Sequence, residues 1–377
     1  MIKKIIYIHE TFYRKHRDMG IEVFRKKGYE VELWSTLKIK YKNTLEVPKD
    51  NTDDYVLYFK NHIQLIKEIL KQDWKYTMCF FTTTAHRGGI EDFIRIVIGM
   101  AGGRYCNFIY EIVPVGSIYR SNKVGFKEKI RADGYKYKYK FYQFLIGKYF
   151  RPSFCFVPTY YSTKKLLTVQ EKKVLIEVHN KDYDEYLSNK PEDSKERFIL
   201  FIDGDLTGAE DFRKSNTQTI YPKASVYYDN INKTFKQLEN FYGIPVYIAA
   251  HPKNEFAGEE FEGRKIFYYQ TSKLVQNAEL VLTHASAAIN YIILYKKPYI
   301  FLVDKYIRKH MIWKYLVLPQ IRELKAIQYD FGKGKEPWKY INQSNKNYDL
   351  YRERYIKNAS FNGLLFYEIV EKTIRKI

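Results

Sequence analysis

The sequence predicts an α/β protein built from two Rossmann-like domains with a cleft between them. Short apolar runs of strand character alternate with helical segments in both halves of the chain. Near the start, a strand at Lys3 to Ile8 is followed by a helical stretch, by Gly28 and by a second strand at Val31 to Trp34. This order opens a β-α-β unit and implies a parallel sheet. A chain of 377 residues is long enough for two such domains.

The rest of the first half continues this alternation. The first helix is predicted from the polar loop at His9 to Thr11 as far as Lys27. Further helices and strands are predicted, in chain order, at Tyr55 to Leu70 (helix), Met78 to Thr82 (strand), Phe93 to Met100 (helix) and Asn107 to Val113 (strand). The segment Ser188 to Lys195 is polar, contains Pro191 and has no periodicity, so we predict a linker there. The first domain then covers residues 1–187.

The second half resumes the alternation after the linker. Its predicted strands lie at Phe198 to Ile202, Val246 to Ala250, Ile266 to Tyr269, Leu280 to Thr283 and Tyr299 to Val303. Its predicted helices lie at Asn230 to Tyr242, Ser272 to Asn277 and Ala287 to Leu294. These elements form a second domain at residues 196–345. C-terminal helices follow at residues 350–377, and one arrangement for them is packing back on the first domain.

The chain is strongly basic, with a formal net charge of +21, and 18% of its residues are aromatic. A field of this sign attracts polyanions. The charge is concentrated at residues 123–151, where nine Lys or Arg residues are interleaved with nine Tyr or Phe residues. Three interpretations compete: a solvated helical face with a buried aromatic stripe, an interfacial helix on an anionic membrane surface, and nucleic-acid binding. No fold signature for nucleic-acid binding is present, so we expect no nucleic-acid partner.

The cysteine count and the lengths of the apolar runs indicate in which cell compartment the protein is expected. Cys79, Cys106 and Cys155 form neither a disulfide framework nor a metal-ligand spacing, which suits a reducing cytosol. No signal peptide is visible, and no apolar run reaches about 18 residues. We therefore expect a cytoplasmic protein and leave open peripheral attachment to the inner face of the cytoplasmic membrane.

Candidate site residues follow the predicted strands of the second half, because ligands of parallel α/β sheets bind at the carboxyl ends of strands. The first group is Asp203, Gly204 and Asp205. Gly204 allows a tight turn, and a carboxylate here is suited to act as a general base on a substrate hydroxyl. An Asx turn or a helix cap is the structural alternative.

The second group is His251, Pro252 and Lys253. Pro252 biases His251 toward extended backbone and so holds the imidazole at the strand end. A histidine there can donate to a phosphate oxygen and protonate it as it leaves, and Lys253 adds positive charge. A capped strand end is the structural alternative.

The third group is Thr283, His284, Ser286 and Ala287. Small residues at a strand-to-helix turn let a ligand approach the backbone, and Ser286 lies near a predicted helix N-terminus that favours phosphate. Close helix packing is the alternative reading of the small residues. No P-loop, HExxH, CxxC or nucleophile elbow is present, and we predict no metal site.

The order Asp-Gly, His-Pro and then a Ser motif resembles the signature of bacterial sialyltransferases and polysialyltransferases of the GT-B fold. The stretch from Phe198 to Leu302 also looks like a family of surface-polysaccharide biosynthesis proteins. The segments that carry this resemblance read ILFIDGDL, VYIAAHPKNEF and GRKIFYYQTSKLVQNAELVLTHASAAINYIILYKKPYIFL. The match covers the predicted second domain, and the first half resembles these proteins in architecture alone.

The resemblance implies a glycosyltransferase that moves a nonulosonic acid from a CMP-activated donor to a hydroxyl of a surface glycan or lipid-linked glycan. The sugar would be of the sialic, pseudaminic or legionaminic type, or Kdo, transferred with inversion and with no cofactor besides the donor. By motif, Asp203 would be the base, His251 the acid that protonates or binds the CMP phosphate, and Ser286 a phosphate ligand. The other nucleotide-binding residues implied are Gly204, Asp205, Pro252, Lys253, Thr283, His284 and Ala287.

The position of the acidic motif in this chain differs from its position in some of these sialyltransferases. In several sialyltransferases the acidic motif lies in the first domain, whereas Asp203 begins the second. Glu10, His86 and Glu111, near first-domain strand ends, are therefore alternative bases or acceptor-site residues. A same-fold alternative is a polymer transferase that uses CDP-glycerol, CDP-ribitol or a UDP-sugar. An alternative of another class is a non-catalytic protein that binds anionic polymer or membrane through residues 123–151.

Overall fold

The computed structural model describes residues 1–9, 19–40, 54–82, 90–109, 112–116, 137, 140–190, 196–207, 220–251, 254, 256–357 and 363–377. Contacts divide the chain into two compact units. The first unit comprises Met1–Tyr110, Arg120–Asn180 and Asn358–Ile377, and the second comprises Glu111–Tyr119 and Lys181–Lys357. The chain therefore enters the second unit twice, at residues 111–119 and at residues 181–357, and returns to the first unit each time.

The first unit contains a seven-stranded parallel sheet in the order β3-β2-β1-β4-β5-β6-β7. Its strands are β1 Lys4–His9, β2 Glu30–Ser35, β3 Val56–Tyr58, β4 Thr77–Phe81, β5 Arg104–Phe108, β6 Phe154–Val157 and β7 Leu175–Glu177. The helices of the first unit that precede residue 181 are α1 Ile21–Lys26, α2 Leu37–Lys40, α3 His62–Lys71, α4 Ile90–Met100, α5 at residues 140–148, α6 Tyr160–Thr163 and α7 Val169–Lys173.

Both faces of this sheet are covered, which explains why its strands are almost continuously apolar. Ile5 and Tyr7 of β1 enter one core cluster, whereas Ile6 and Ile8 enter another on the opposite face. This division follows the two-residue period of a strand. The helix at Phe366–Ile374 packs into the cluster that contains Ile5, so a segment more than 350 residues away in sequence completes this core.

The second unit contains a sheet in the order β10-β9-β8-β11-β12-β13, with β14 antiparallel to β12. Its strands are β8 Ile199–Ile202, β9 Val246–Ala249, β10 Ile266–Phe267, β11 Leu280–Thr283, β12 Tyr299–Val303, β13 Gln328–Asp330 and β14 Ile341–Asn342. Its α-helices are α8 Asp182–Ser188, α9 Ala224–Tyr242, α10 Thr271–Asn277, α11 Ile289–Leu294, α12 Lys305–Lys309, α13 Leu318–Leu324 and α14 Asn345–Tyr351. The last helix, α15 Phe366–Ile374, belongs to the first unit.

Three predicted elements of the first half differ from the structure. Among the described residues the first helix begins only at Ile21, because Gly20 before it has left-handed backbone with a φ of 70°. The helix predicted at Tyr55 to Leu70 is divided into β3 and α3, because Asn61 caps α3 by accepting a hydrogen bond from the Gln64 backbone N–H at 3.0 Å. The strand predicted at Asn107 to Val113 ends at Phe108, since the chain then crosses into the second unit. Strands β6 and β7 had no counterpart in the prediction.

Among the described residues, no helix is both long and apolar enough to cross a membrane. Cys79, Cys106 and Cys155 lie buried on the neighbouring strands β4, β5 and β6, and none of these three forms a disulfide.

Candidate functional site

The strand order of the second unit reverses between β8 and β11. Strands β9 and β10 lie on one side of β8, and β12 and β13 lie on the far side of β11. Such a reversal opens a crevice at the carboxyl ends of the two central strands, where ligands of doubly wound sheets bind. The residues that follow these strands are Asp203 after β8 and His284 after β11, while Ala250 and His251 follow the adjacent β9. The three predicted groups therefore lie on adjoining strand ends of one sheet.

Asp203 joins the ends of β8 and β9. Its Oδ1 accepts the backbone N–H of Asp205 at 3.1 Å, and its Oδ2 accepts the backbone N–H of His251 at 3.3 Å. The side-chain amide of Asn254 also donates to Oδ2, at 2.7 Å. Burial raises the pKa of Asp203 above its usual value, and these three hydrogen bonds oppose that rise. The carboxylate thus holds the backbone of His251 in place beside the crevice.

The turn at 203–205 comes close to the end of β11. A Cβ atom at Gly204 would lie 3.8 Å from the Cβ of His284, which is ordinary van der Waals contact. Asp205, also buried, adopts a left-handed backbone with φ of 51°. The conformation is uncommon for a residue with a side chain, and Asp and Asn tolerate it best. The Asx turn considered as the structural alternative is thus present at Asp203.

His284 is a core residue and is 2% exposed. Its Nδ1 lies 3.0 Å from the carbonyl oxygen of Leu302, which can only accept, so Nδ1 carries the proton. Its Nε2 then accepts from the hydroxyl of Tyr227 at 3.0 Å. Burial lowers the pKa of His284 to about 4. With both ring nitrogens engaged, this imidazole supports the strand end. The nucleotide-binding role that the resemblance implies for His284 stays a prediction.

We expect His284 to make folding stability depend on pH. Because its pKa is about 4 in the folded protein against a usual value of 6.5, the unfolded chain takes up a proton first as the pH falls. Its contribution is complete above pH 6.5 and is lost toward pH 4, by roughly 3 kcal/mol in total. Urea unfolding of the wild type and of His284→Gln between pH 7 and pH 4.5 measures this contribution.

Glutamine can donate to Leu302 and accept from Tyr227, but it does not titrate in this range. The decline in unfolding free energy between pH 7 and pH 4.5 should therefore be shallower in His284→Gln. His62→Gln, at an exposed residue of α3, is the control for the substitution itself and should change the unfolding free energy at pH 7 by no more than about 0.5 kcal/mol. Equal declines for the wild type and His284→Gln would contradict the assignment of a neutral buried imidazole.

Ser286 and Ala287 lie in the turn before α11. The Ser286 hydroxyl accepts the backbone N–H of Ala288 at 3.2 Å, and its carbonyl accepts from the side-chain amide of Gln320 at 3.2 Å. Ser286 is half-buried and Ala287 is exposed, so this turn presents a hydroxyl and a small side chain at the surface. Thr283, in contrast, is buried, and its hydroxyl donates to the carbonyl oxygen of His284 at 2.6 Å.

A further carboxylate follows β12 but serves as a helix cap. Asp304 is buried, and its Oδ1 accepts the backbone N–H groups of Tyr306 at 2.9 Å and Ile307 at 2.8 Å. Across the residues that the structure describes, no group of three or more His, Cys, Asp or Glu side chains is arranged to hold a metal ion.

The first unit has its own reversal of strand order, between β1 and β4. His9 is the last residue of β1, not part of the loop predicted there, and its Nδ1 lies 2.8 Å from the hydroxyl of Thr82 just beyond β4. The alternative bases Glu10, His86 and Glu111 lie outside the described residues, as do Pro252 and Lys253 of the second group. Their roles stay predictions.

Three residues that make hydrogen bonds at or near these strand ends were not predicted from the sequence. Asn254 lies three residues after His251, and an amide at that spacing in a polar run is the one local signal of its bond to Asp203. The partner of His284 is Tyr227, 57 residues away on α9, and no local pattern points to it. His9 was visible as a histidine directly after an apolar strand.

Comparison with known proteins bears on the fold. No protein-family model and no curated protein sequence matches the chain. A variant of the wall teichoic acid polymerase TagF is similar in structure, with a TM-score of 0.53 and 12% identity over 99% of this chain and 89% of that one. The fold is GT-B. This confirms the predicted class of two parallel α/β domains.

Two other GT-B neighbours match at lower TM-scores. The UDP-GlcNAc 2-epimerase of Methanocaldococcus jannaschii has a TM-score of 0.47 and 17% identity over all of both chains. The glycosyltransferase SnogD from Streptomyces nogalater has a TM-score of 0.49 and 9% identity, also over all of both chains. At such identities the likeness concerns the fold, and a GT-B fold hosts more than one activity.

Proposed function

We propose that the chain is a glycosyltransferase that moves a nonulosonic acid from a CMP-activated donor to a hydroxyl of a surface glycan or lipid-linked glycan. The sugar is of the sialic, pseudaminic or legionaminic type, or Kdo. The observation that carries this proposal is the hydrogen bond from the His251 backbone to Asp203, which fixes a histidine beside the reversal of strand order in a GT-B domain. The order of the Asp-Gly, His-Pro and Ser motifs supports the CMP-sugar donor.

In the proposed reaction, the acceptor oxygen attacks the anomeric carbon of the donor on the face opposite the phosphate. The bond between that carbon and the phosphate oxygen breaks, and its electron pair stays on the phosphate. His251 donates a hydrogen bond or its proton to this oxygen, while a base takes the proton of the acceptor hydroxyl. Ser286 binds the phosphate through its hydroxyl. No metal ion is required in this scheme, because His251 and Lys253 counter the phosphate charge.

The base of this reaction is proposed from two sets of residues. Asp203 is the candidate implied by the motif, yet its two oxygens already accept three hydrogen bonds, which favours a role in positioning His251. Glu10, His86 and Glu111, which lie outside the described residues, are the alternatives that the sequence offers. The substitution Asp203→Asn distinguishes a role of Asp203 in positioning His251 from a role as the catalytic base.

A second candidate function is a polymer transferase that uses CDP-glycerol or CDP-ribitol. The likeness to TagF favours it, since that protein is a wall teichoic acid polymerase and the TM-score is 0.53. A UDP-sugar donor belongs to the same alternative. The alternative of another class is a non-catalytic protein that binds anionic polymer or membrane. Its function would not depend on the side chain of His251.

We expect CMP to raise the melting temperature of the protein. A ligand that binds the folded state alone stabilises it by about 2.7 kcal/mol at a concentration of 100 times Kd, which shifts the melting temperature by several degrees. CMP, CDP, CDP-glycerol and UDP are compared by thermal unfolding, with AMP as the control for binding through phosphate alone. A shift with UDP and none with CMP would remove the CMP-sugar proposal, and a shift confined to CDP-glycerol would favour the polymer transferase.

A further inference from the structure

One face of α5 turns aromatic side chains toward solvent. Tyr137 is 72% exposed, and Phe141, Phe144 and Tyr149 are each 58% exposed. Phe141, Phe144 and Lys148 follow one another at spacings of three and four residues, so they form a single stripe along the helix. We call these three residues, together with Tyr137 and Tyr149, the aromatic-lysine face. Exposed apolar patches on a folded domain mark sites of interaction.

The opposite side of α5 is fixed to the first unit. Ile146 is buried, and the side-chain amide of Gln143 donates to Asp92 of α4 at 3.1 Å. Just beyond the helix, the carbonyl of Phe150 accepts from the hydroxyl of Tyr105 at 2.6 Å, and the Phe150 ring packs directly on Gly99. The aromatic-lysine face is therefore the outer surface of an anchored helix.

Lysine side chains accompany the aromatic rings. The Nζ of Lys148 lies 4.9 Å from the ring centre of Tyr149 and 5.7 Å from that of Phe144. The start of α7 lies against the same helix, since a Cβ atom at Gly147 would be 3.5 Å from Cγ of Gln170. The neighbouring Val169 is 69% exposed, and Lys172 and Lys173 on α7 are also exposed.

The charge of this region is not balanced by local carboxylates. Residues 140–173 include seven Lys or Arg residues and one acidic residue, Glu171. The Glu171 carboxylate is turned inward, where it accepts from the side-chain amide of Asn107 at 2.8 Å and from the backbone N–H of Thr168 at 2.7 Å. The outward surface is therefore apolar and positive at once.

We propose that the aromatic-lysine face docks the protein on the surface of an anionic lipid bilayer. The aromatic rings would enter the boundary between headgroups and acyl chains, and the lysine stems would lie along them with their ammonium groups at the headgroups. Each lysine near an anionic surface adds to the attraction, and salt weakens it by screening. The phosphates of a nucleic acid would also pair with the lysines. The exposed Val169 would make no favourable contact with it, because an aliphatic side chain offers no ring on which a base can stack.

The test is flotation of the full chain with vesicles of phosphatidylcholine alone or with phosphatidylglycerol added. We expect binding to the anionic vesicles, weaker binding in high salt and little binding to phosphatidylcholine. The double variant Phe141→Ser/Phe144→Ser should bind the anionic vesicles at least about tenfold more weakly, because its apolar stripe is lost. Phe241→Ser, at an exposed phenylalanine of the second unit, is the matched control and should bind as the wild type does.

Unchanged vesicle binding by the double variant would overturn the proposal, as would equal binding to both kinds of vesicle. Binding of a single-stranded oligonucleotide that depends on the same two phenylalanines, with no vesicle binding, would overturn it in favour of nucleic acid. If the double variant unfolds, Lys140→Gln/Lys148→Gln is the second test. That variant keeps the rings and should lose much of the preference for anionic lipid.

Discussion

Replacing His251 with alanine is expected to lower turnover by about 10²–10⁴-fold, the usual contribution of a positioned acid–base group. The link between β9 and Asp203 uses the backbone N–H of His251, so it survives the loss of the imidazole. The folded structure and its melting temperature should therefore change little. Release of CMP from CMP-N-acetylneuraminic acid, or from whichever CMP-sugar the melting screen selects, measures turnover.

The control for this variant is His62→Ala, which removes an exposed imidazole from the start of α3. It should retain wild-type turnover. His251→Ala should also show a smaller shift of melting temperature with CMP if the imidazole contacts the phosphate in the ground state. Turnover equal to that of the wild type would exclude His251 as the acid and would leave the proposed reaction without its central group.

Asp203→Asn is expected to lower both stability and activity. Only one side of an amide accepts hydrogen bonds, whereas Asp203 accepts the N–H groups of Asp205 and His251 on different oxygens. At least one buried donor is left unsatisfied, at a cost of about 1–3 kcal/mol. Urea unfolding measures this loss, and CMP-dependent melting shows whether the position of His251 is disturbed.

Asp229→Asn provides the comparison, because this exposed carboxylate on α9 is lost at a cost within about 0.5 kcal/mol. Stability should fall under either role, because the hydrogen bonds to the two carboxylate oxygens are present in both cases. Positioning by Asp203 predicts that CMP binding and turnover fall together. Base catalysis by Asp203 predicts that turnover is lost while CMP binding is retained. A variant with wild-type stability and wild-type turnover would contradict both roles.

Much of this fold is accessible from sequence because parallel strands buried on both faces leave short apolar runs. The strands Leu280–Thr283 and Tyr299–Val303 were predicted at the bounds that the structure shows. The separation of β3 from α3 was missed, since Val56 to Tyr58 is too short a strand to have a period of its own. The crossing of the chain near residue 111 has no signature in composition, because it depends on which surface the segment packs against.

The candidate site is predictable in its outline but not in the role of each side chain. The rule that ligands bind at strand ends identified Asp203, His251 and Ser286 without knowledge of the strand order. It did not separate these residues from His284, whose nitrogens are taken up by Tyr227 and Leu302. Such partners are set by tertiary packing, and a motif read along the chain cannot contain them.

The position of α15 in the core of the first unit affects the order in which the two units can complete folding during translation. The ring of Phe366 lies 6.0 Å from that of Phe108, and Glu371 accepts from Lys27 and from Tyr29, each at 3.1 Å. A nascent chain on the ribosome thus leaves part of one apolar face of its first sheet uncovered until residues beyond 370 emerge. By then every strand of the second unit has been made, so the half that is translated first is the half that finishes folding last.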